Sequence, residues 1–389
     1  MKHIGIILSQ PPVYSETFLN SKIKNLMEAG FKVTVFSQSQ TKEKFYFEHK
    51  KAYPAQGNWS LLCFLPILIK LLVVRFTETV KFYTLGRAEG QGMFAAIKNC
   101  YLNAHIILNK PDWLHFEFAT LVVTREHLAK ALQAKLSVSI RGYDMAIYPL
   151  KNPNCYQKLW KYIDKLHTIS DNLALLAKHN GLPASVEVVK ITPAIYTSNF
   201  SLKSNHGLIT NKVKIISTGR LNWIKGVDYQ IYAASILKQL HIDFTWVIIG
   251  DGNEFERCTF LINQHQLQNH FILLGKKNAD EIAKLLGESD IYVQYSNNEG
   301  FCNAVLEAQS TGLVTIVSDA GALPENVLHS QTGFIVPKRN PQALANQIVE
   351  VIKTEPEVLK AMTLRASNRV STAFDIQSQA KKFIEFYQT

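Results

Sequence analysis

The chain has five cysteines in 389 residues, Cys63, Cys100, Cys155, Cys258 and Cys302, and no two of them share a paired spacing. That excludes a disulfide framework and a zinc knuckle, and it fits a reducing, cytoplasmic setting. No Asp-x-Asp occurs, nor any His/Cys/Glu group with metal-ligand spacing, so no bound metal is expected. No Gly-x-Gly-x-x-Gly follows the first apolar run, which argues against a nicotinamide dehydrogenase, and no cofactor is expected. Internal repeats and low-complexity tracts are absent. The chain opens directly on the apolar run Ile4-Gly5-Ile6-Ile7-Leu8, so no signal peptide is expected. Leu61–Val74 is apolar but interrupted by Pro66 and Lys70, and it falls short of the ~20 residues a spanning helix needs. A buried or groove-lining helix is the preferred reading of this run. The other is a helix lying in a bilayer surface, with Lys70, Arg75 and Lys81 among the headgroups.

What is present is an ordinary globular balance, with 47% hydrophobic and 19% charged residues. The length suffices for two domains with real cores. The net charge of +11 is unevenly placed. Residues 1–200 hold 24 Lys+Arg against 13 Asp+Glu, whereas residues 201–389 hold 18 of each. A basic first half suits an anionic partner, such as an anionic membrane surface or an acidic acceptor, but a merely lysine-rich surface would look the same. Nucleic acid is not expected, because no basic-aromatic stacking motif accompanies the charge.

The second half alternates apolar strands with helices. The strands are Val213–Thr218, Phe244–Ile249, Phe271–Leu274 and Ile291–Val293, and helical spacing runs over Val227–Leu240 and Glu281–Leu286. Near-continuous apolar strands between amphipathic helices indicate a parallel sheet covered on both faces, with ligands at the carboxyl ends of the strands. The first half repeats the pattern less cleanly, at His3–Leu8, Lys32–Phe36, Trp113–Phe116, Leu136–Ile140 and His167–Ile169. The fold class is therefore α/β, with two Rossmann-like, doubly wound domains. The expected division is 1–200, 201–370 and a last helical segment 371–389 that crosses back to the first domain. The change of domain is placed in the polar stretch Ser198–Leu208.

Two segments carry chemistry. Gly219-Arg220-Leu221-Asn222-Trp223-Ile224-Lys225-Gly226 places two cations after a strand, where a guanidinium and an ammonium could hold a diphosphate. Cations at that position would stabilise charge that builds on a departing diphosphate. Alone, the two would read as surface charges in a strand-to-helix loop. About eighty residues on, Glu299-Gly300-Phe301-Cys302-Asn303-Ala304-Val305-Leu306-Glu307 sets two carboxylates around a small loop entering a helix. Gly300 permits close ligand approach. Asn303 is expected to cap the helix Ala304–Thr311, leaving the N–H groups of Phe301 to Ala304 free for an anion or for sugar hydroxyls. Glu307, one turn in, could accept from two ribose hydroxyls, and Glu299 could hold a sugar. An isolated pair of glutamates would be exposed helix-end charges; the order Gly-Arg, Lys-Gly, Glu-Gly-Phe, Glu-Ala is harder to obtain by chance.

Over residues 213–370 the chain resembles the C-terminal domain of retaining GT-B glycosyltransferases of glycosyltransferase family 4. The likeness is close at Ser217–Gly226, Val247–Gly252 and Ser296–Val336. Glu299–Gln309, Ser318-Asp319-Ala320 and Leu323-Pro324-Glu325-Asn326-Val327 are similar to bacterial exopolysaccharide enzymes of the colanic-acid type. The resemblance implies two domains facing a central cleft, 1–200 binding the acceptor and 201–370 binding the nucleotide-sugar. It assigns the donor diphosphate to Arg220 and Lys225, the ribose to Glu307, and the transferred sugar to Glu299 with the Gly300–Asn303 backbone. Gly219, at the strand end, belongs to the same donor set. Leu313 and Ala322 depart from the commoner proline and glycine.

The first half matches more loosely. Tyr14-Ser15-Glu16-Thr17-Phe18 resembles a Ser-Glu-Thr-Phe start, with Ser15, Glu16 and Thr17 near phosphates or acceptor, although Ser15 could equally be a helix cap. His115-Phe116-Glu117-Phe118 resembles His-x-His-Phe with Glu117 at the second histidine. His115 is as readily a core residue as a site residue. Arg141-Gly142-Tyr143-Asp144 resembles His-Gly-x-Asp with Arg141 in place of the histidine, so Arg141 and Asp144 join the acceptor or phosphate set. Together these imply a retaining, metal-independent hexosyltransferase that uses a UDP- or GDP-sugar. Its acceptor would be lipid-linked or a saccharide, in bacterial exopolysaccharide, capsule or lipopolysaccharide assembly at the inner face of the plasma membrane. The rivals are another GT-B activity, such as an epimerase or a glycogen-type synthase, and a non-catalytic nucleotide-sugar-binding protein.

Overall fold

The structure is a computed structural model that describes residues 1–12, 17–39 and 45–388; the side chains of residues 17 and 58–61 lie outside the description. Contacts divide the chain into Met1–Ile191 with Ala380–Thr389, and Thr192–Gln379.

The first unit holds strands β1 His3–Leu8, β2 Lys32–Ser37, β3 Glu48–Lys51, β4 Trp113–Phe116, β5 Lys135–Ile140, β6 Lys165–Thr168 and β7 Glu187–Lys190. They form one sheet in the order β3-β2-β1-β4-β5-β6-β7, parallel throughout. Helices cover both faces, which is why β1 after His3, and β4 apart from His115, are apolar. On one face Ile4, Ile6 and Leu8 pack with Leu19, Ile23 and Leu26 of the helix Thr17–Glu28. Phe383, Phe386 and Tyr387, from the last helix Ile376–Gln388, complete this core.

The second unit holds β8 Val213–Thr218, β9 Phe244–Ile249, β10 Phe271–Leu273, β11 Ile291–Gln294, β12 Val314–Ser318 and β13 Phe334–Val336. Their order is β10-β9-β8-β11-β12-β13, again parallel. One face buries Ile215, Trp246 and Val293 under the helices Val227–Gln239 and Pro341–Lys353. The other buries Ile216, Tyr292 and Val317 under Val305 and Ala308 of the helix Asn303–Thr311.

In this sheet the chain moves outward from β8 through β9 to β10, then returns to the other side of β8 with β11. The switch point, where helices leave on opposite faces and a crevice opens at the strand ends, lies between β8 and β11. The first unit has its own switch point between β1 and β4.

The division between units falls at Ile191, earlier than the polar stretch Ser198–Leu208. Thr192 and Ile195 are tied to the second unit, by the Gln379 side-chain amide donating to the Thr192 carbonyl and by a bridge between Ile195 and Asp375. Among the described residues no helix is long and apolar enough to cross a membrane.

Candidate active site

The site grows from the two strand ends at the β8/β11 switch point. β8 runs out at Thr218 into Gly219 and Arg220, and Leu221 then turns inward and is fully buried. Asn222 caps the following turn by accepting from the Ile224 N–H at 3.1 Å, and Trp223–Lys225 form one turn of 3-10 helix. Gly226 has φ 59°, and a Cβ there would collide with the Tyr295 carbonyl oxygen. Only glycine combines that backbone with that approach.

From β11 the chain continues through Ser296 to Glu299. The Asn297 N–H donates to the Ile224 carbonyl at 2.6 Å and its side-chain amide to the Trp223 carbonyl at 2.6 Å. The two loops are thus stitched backbone to backbone. As a result Lys225 Nζ lies 2.6 Å from Glu299 Oε2, to which Ser296 Oγ also donates at 3.1 Å. Burial, the largest single influence, works to lower the Lys225 pKa, but the Glu299 charge, the Cys302 thiol and the Glu299 hydrogen bond together outweigh it and the net shift is upward. The Arg220 guanidinium is exposed and close enough to act on Lys225 as a second cation. Gly321, at φ 58°, and the Ala322 N–H, donating at 2.8 Å, close over the Glu299 carbonyl. Ala322 itself has φ −96°, an ordinary value that needs no glycine.

The helix Asn303–Thr311 begins one residue earlier than expected. Asn303 is its first residue, Cys302 stands at the N-cap position, and no side chain of the cap residue accepts a bond. The end is instead held from outside. The Cys302 N–H donates to Asn326 Oδ1 at 3.1 Å, and Asn326 Nδ2 returns a bond to the Cys302 carbonyl at 3.0 Å. Arg369 braces that turn by donating to the carbonyls of Glu325 and Asn326 at 2.7 Å each. Cys302 therefore has no free N–H to offer a ligand, contrary to its place in the expected donor set. Gly300, Phe301 and Asn303 have no partner for theirs among the described residues. Burial and the neighbouring Glu299 push the Cys302 thiol up to about 12, so it is no nucleophile near neutral pH.

Glu307 lies within this same cluster, its charge felt by Cys302 and by Tyr292 of β11. Burial pushes its carboxyl up to about 7, and no hydrogen bond reaches that carboxylate among the described residues. Lys225 and Glu299, 74 positions apart, thus meet at the strand ends, with Arg220 near Lys225 and Glu307 sharing Cys302 as a neighbour with both. The sequence missed Asn326, Arg369, Ser296 and Asn297, which position these groups. Their only signal was polar side chains inside an otherwise apolar, tightly turning stretch.

In the first unit, Ser15 and Glu16 lie outside the described residues, and Thr17 opens the helix Thr17–Glu28. His115 is not at a surface. It sits within β4, fully buried, with Nδ1 2.8 Å from Ser137 Oγ and Nε2 2.8 Å from Ser139 Oγ. Burial, then the Lys22 charge, hold it well below its ordinary pKa, so it is neutral. Lys22 Nζ donates to Glu117 at 2.5 Å in an ion pair buried on both sides, and Arg141 Nη2 reaches the other Glu117 oxygen at 3.3 Å. Asp144 is spent on backbone. It accepts from the N–H groups of Arg141 (3.0 Å) and Thr120 (3.3 Å), and burial pushes it up to about 6. The core reading of His115 thus describes its position, and Asp144 is enclosed as well.

Residues 199–369 match the family described as glycosyl transferases group 1. The second unit carries a glycosyl transferases group 1 domain. The amylovoran biosynthesis glycosyltransferase AmsK of Erwinia amylovora is 26% identical over 94% of each chain. The putative colanic acid biosynthesis glycosyltransferase WcaL of Escherichia coli is 25% identical over 68% of this chain and 66% of its own. Among solved structures, Anabaena Alr3699/HepE in complex with UDP superposes with a TM-score of 0.75 at 17% identity, covering all of both chains. The fold is GT-B, two parallel-sheet Rossmann-like units. The Arg220, Lys225, Glu299 and Glu307 cluster lies wholly inside the group 1 domain.

Proposed function

We propose that the chain is a retaining glycosyltransferase that takes a sugar from a nucleotide-diphosphate donor and attaches it to an acceptor hydroxyl. The observation that carries this is the Lys225–Glu299 pair at the β8/β11 switch point, with Arg220 near Lys225 and the buried Glu307 carboxyl on the adjoining helix. Arg220 and Lys225 hold the donor diphosphate, with Lys225 spending one N–H on Glu299 and keeping two for phosphate oxygens. Glu299, fixed through Oε2 by Lys225 and Ser296, turns its second oxygen to hydroxyls of the transferred sugar. The unpartnered N–H groups of Gly300, Phe301 and Asn303 face the same groups, aided by the positive end of the helix. Glu307 accepts from the two ribose hydroxyls.

In the transfer, the bond from the anomeric carbon to the diphosphate breaks as the bond to the acceptor oxygen forms on the same face. The acceptor proton passes to the departing phosphate oxygen, and the two cations stabilise the charge left there. Fixed cations make a divalent metal unnecessary. The resemblance at Ser217–Gly226 and Ser296–Val336 supports retention, and the names of the AmsK and WcaL relatives support a role in bacterial surface-polysaccharide assembly. A lipid-linked or saccharide acceptor and a place at the cytoplasmic face of the membrane belong to the same proposal.

A melting-point panel of UDP- and GDP-sugars tests the donor, since a ligand bound only by the folded state raises the transition in proportion to saturation. One donor is expected to shift it strongly. With that donor, Lys225→Ala is expected to lower turnover by roughly 10²–10³-fold. A flat panel, or full turnover by the variant, overturns the assignment.

A further inference from the structure

The helix Asn58–Val74 is apolar nearly all round, yet the first unit covers only one side of it. Leu71 is fully buried and the Phe64 ring packs 5.0 Å from Tyr101. On the other side Leu62, Leu65, Ile69 and Val73 are 68, 64, 52 and 78% exposed. Their spacing of three and four puts them on one helical face. Phe76, the first residue of the next helix Phe76–Ala88, is exposed as well. So is Phe94 (82%), near the start of Met93–Leu102, a helix packed against Phe76–Ala88. Folded proteins seldom leave so many large apolar side chains in water without a partner for them.

Charge says what that partner is. Residues 58–98 contain Lys70, Arg75, Lys81, Arg87 and Lys98 against only Glu78 and Glu89. Both acids are already neutralised within the unit, Glu78 by Lys110 at 2.6 Å and Glu89 by Lys161 at 2.6 Å. Lys70, Lys81 and Lys98 are exposed and have no acidic partner among the described residues. A second copy of the chain would bring these cations against their own equivalents, which disfavours a two-fold contact. Spanning is excluded by length, because 17 residues reach about 25 Å against roughly 30 Å of hydrocarbon, and Lys70 interrupts the run.

We infer that the helix Asn58–Val74 lies in the surface of an anionic bilayer, its Leu62–Leu65–Ile69–Val73 face among the acyl chains and Lys70 and Lys81 among lipid phosphates. Apolar burial supplies the insertion and the cations select the lipid. The placement stands apart from the donor chemistry, which involves only the other unit.

Full-length protein is sedimented, without donor, with vesicles of phosphatidylcholine alone and with vesicles of equal parts phosphatidylcholine and phosphatidylglycerol. The anionic vesicles are expected to capture it, the neutral ones far less, and added salt to release it. Leu65→Glu with Val73→Glu, both at exposed positions and so harmless to folding, should lower the partition coefficient about tenfold or more. Lys70→Gln should weaken capture by anionic vesicles roughly fivefold. Wild type remaining in solution with both vesicles overturns the inference, as does equal capture of wild type and the double variant. A lipid-free dimer dissolved by Val73→Glu would likewise overturn it and give the face to a second copy. A donor-induced melting shift in the same samples reports the donor site separately.

Discussion

Glu307 is a carboxyl whose surroundings make its proton hard to lose. Its pKa is pushed from 4.5 to about 7 by burial alone. Between those values the unfolded chain releases a proton that the folded chain keeps, so stability declines as pH rises through the window and is flat above it. Glu307→Gln removes that decline. At pH 8 the variant should be more stable than wild type by on the order of 1–2 kcal/mol, a gain limited because solvent partly reaches Glu307, and at pH 4.5 the gain should vanish. Urea unfolding at the two pH values checks this. The same substitution should weaken donor binding, because an amide accepts at one atom where a carboxylate accepts at two. Donor affinity of wild type should also fall as pH drops below about 7 and the carboxyl takes up its proton. Arg220, Lys225, Glu299 and Glu307 stood out as candidates because they belong to short, ordered motifs, the first three each beside a glycine and Glu307 one turn into a helix. Asn326 and Arg369 were not. Their partners are backbone groups brought near by folding, and no local pattern announces a bond from position 326 to position 302.

Elements were legible where burial is two-sided. β1, β8 and β9 lie inside their sheets and read as apolar runs. β3, at one sheet edge, is Glu-His-Lys-Lys, and β7, at the other, is Glu-Val-Val-Lys; both were overlooked. Polar edge strands give up the pattern that identifies a strand and gain protection against pairing with other chains. The element that the sequence concealed most fully is the polar seam beneath the first unit's last helix. Lys22 rises from the helix Thr17–Glu28 to Glu117 at the end of β4, and the Phe383 ring lies 4.4 Å from its ammonium. In register beside it run His115, Ser137, Ser139 and His167, linked by hydrogen bonds of 2.7–2.8 Å. Such a seam is costly to break from one side. Lys22→Met leaves Glu117 buried without its ammonium and should destabilise the protein by about 3–5 kcal/mol. Lys22→Met with Glu117→Leu removes both charges and should recover much of that loss. Urea unfolding of the two single variants and the double variant closes the cycle. Equal losses in the single and double variants would mean that the pair does not act as a unit.

At the scale of the whole molecule, the two units have separate cores and separate sheets, and the chain passes between them near Thr192 and again near Ala380. The last helix ends in Phe383, Phe386 and Tyr387, which fill the first unit's core although they are the most distant residues from it in sequence. Folding of that unit must therefore wait for the carboxyl end of the chain, a long-range closure that slows assembly. Removing residues 380–389 strips three large aromatic side chains from one core and none from the other. Unfolding of the full chain should not obey a two-state law, since two cores of this size melt as separate units. The donor then tells the transitions apart. On the proposed assignment of the donor to Arg220, Lys225 and Glu307, a nucleotide-sugar at 100 times its dissociation constant should raise the second unit's transition by about 2.7 kcal/mol. The first unit's transition should stay where it was. Truncation at 379 should do the reverse, lowering the first transition and sparing the donor-sensitive one. Calorimetric scans of both chains with and without donor distinguish these outcomes, and a donor that shifted both transitions equally would show that the units melt as one.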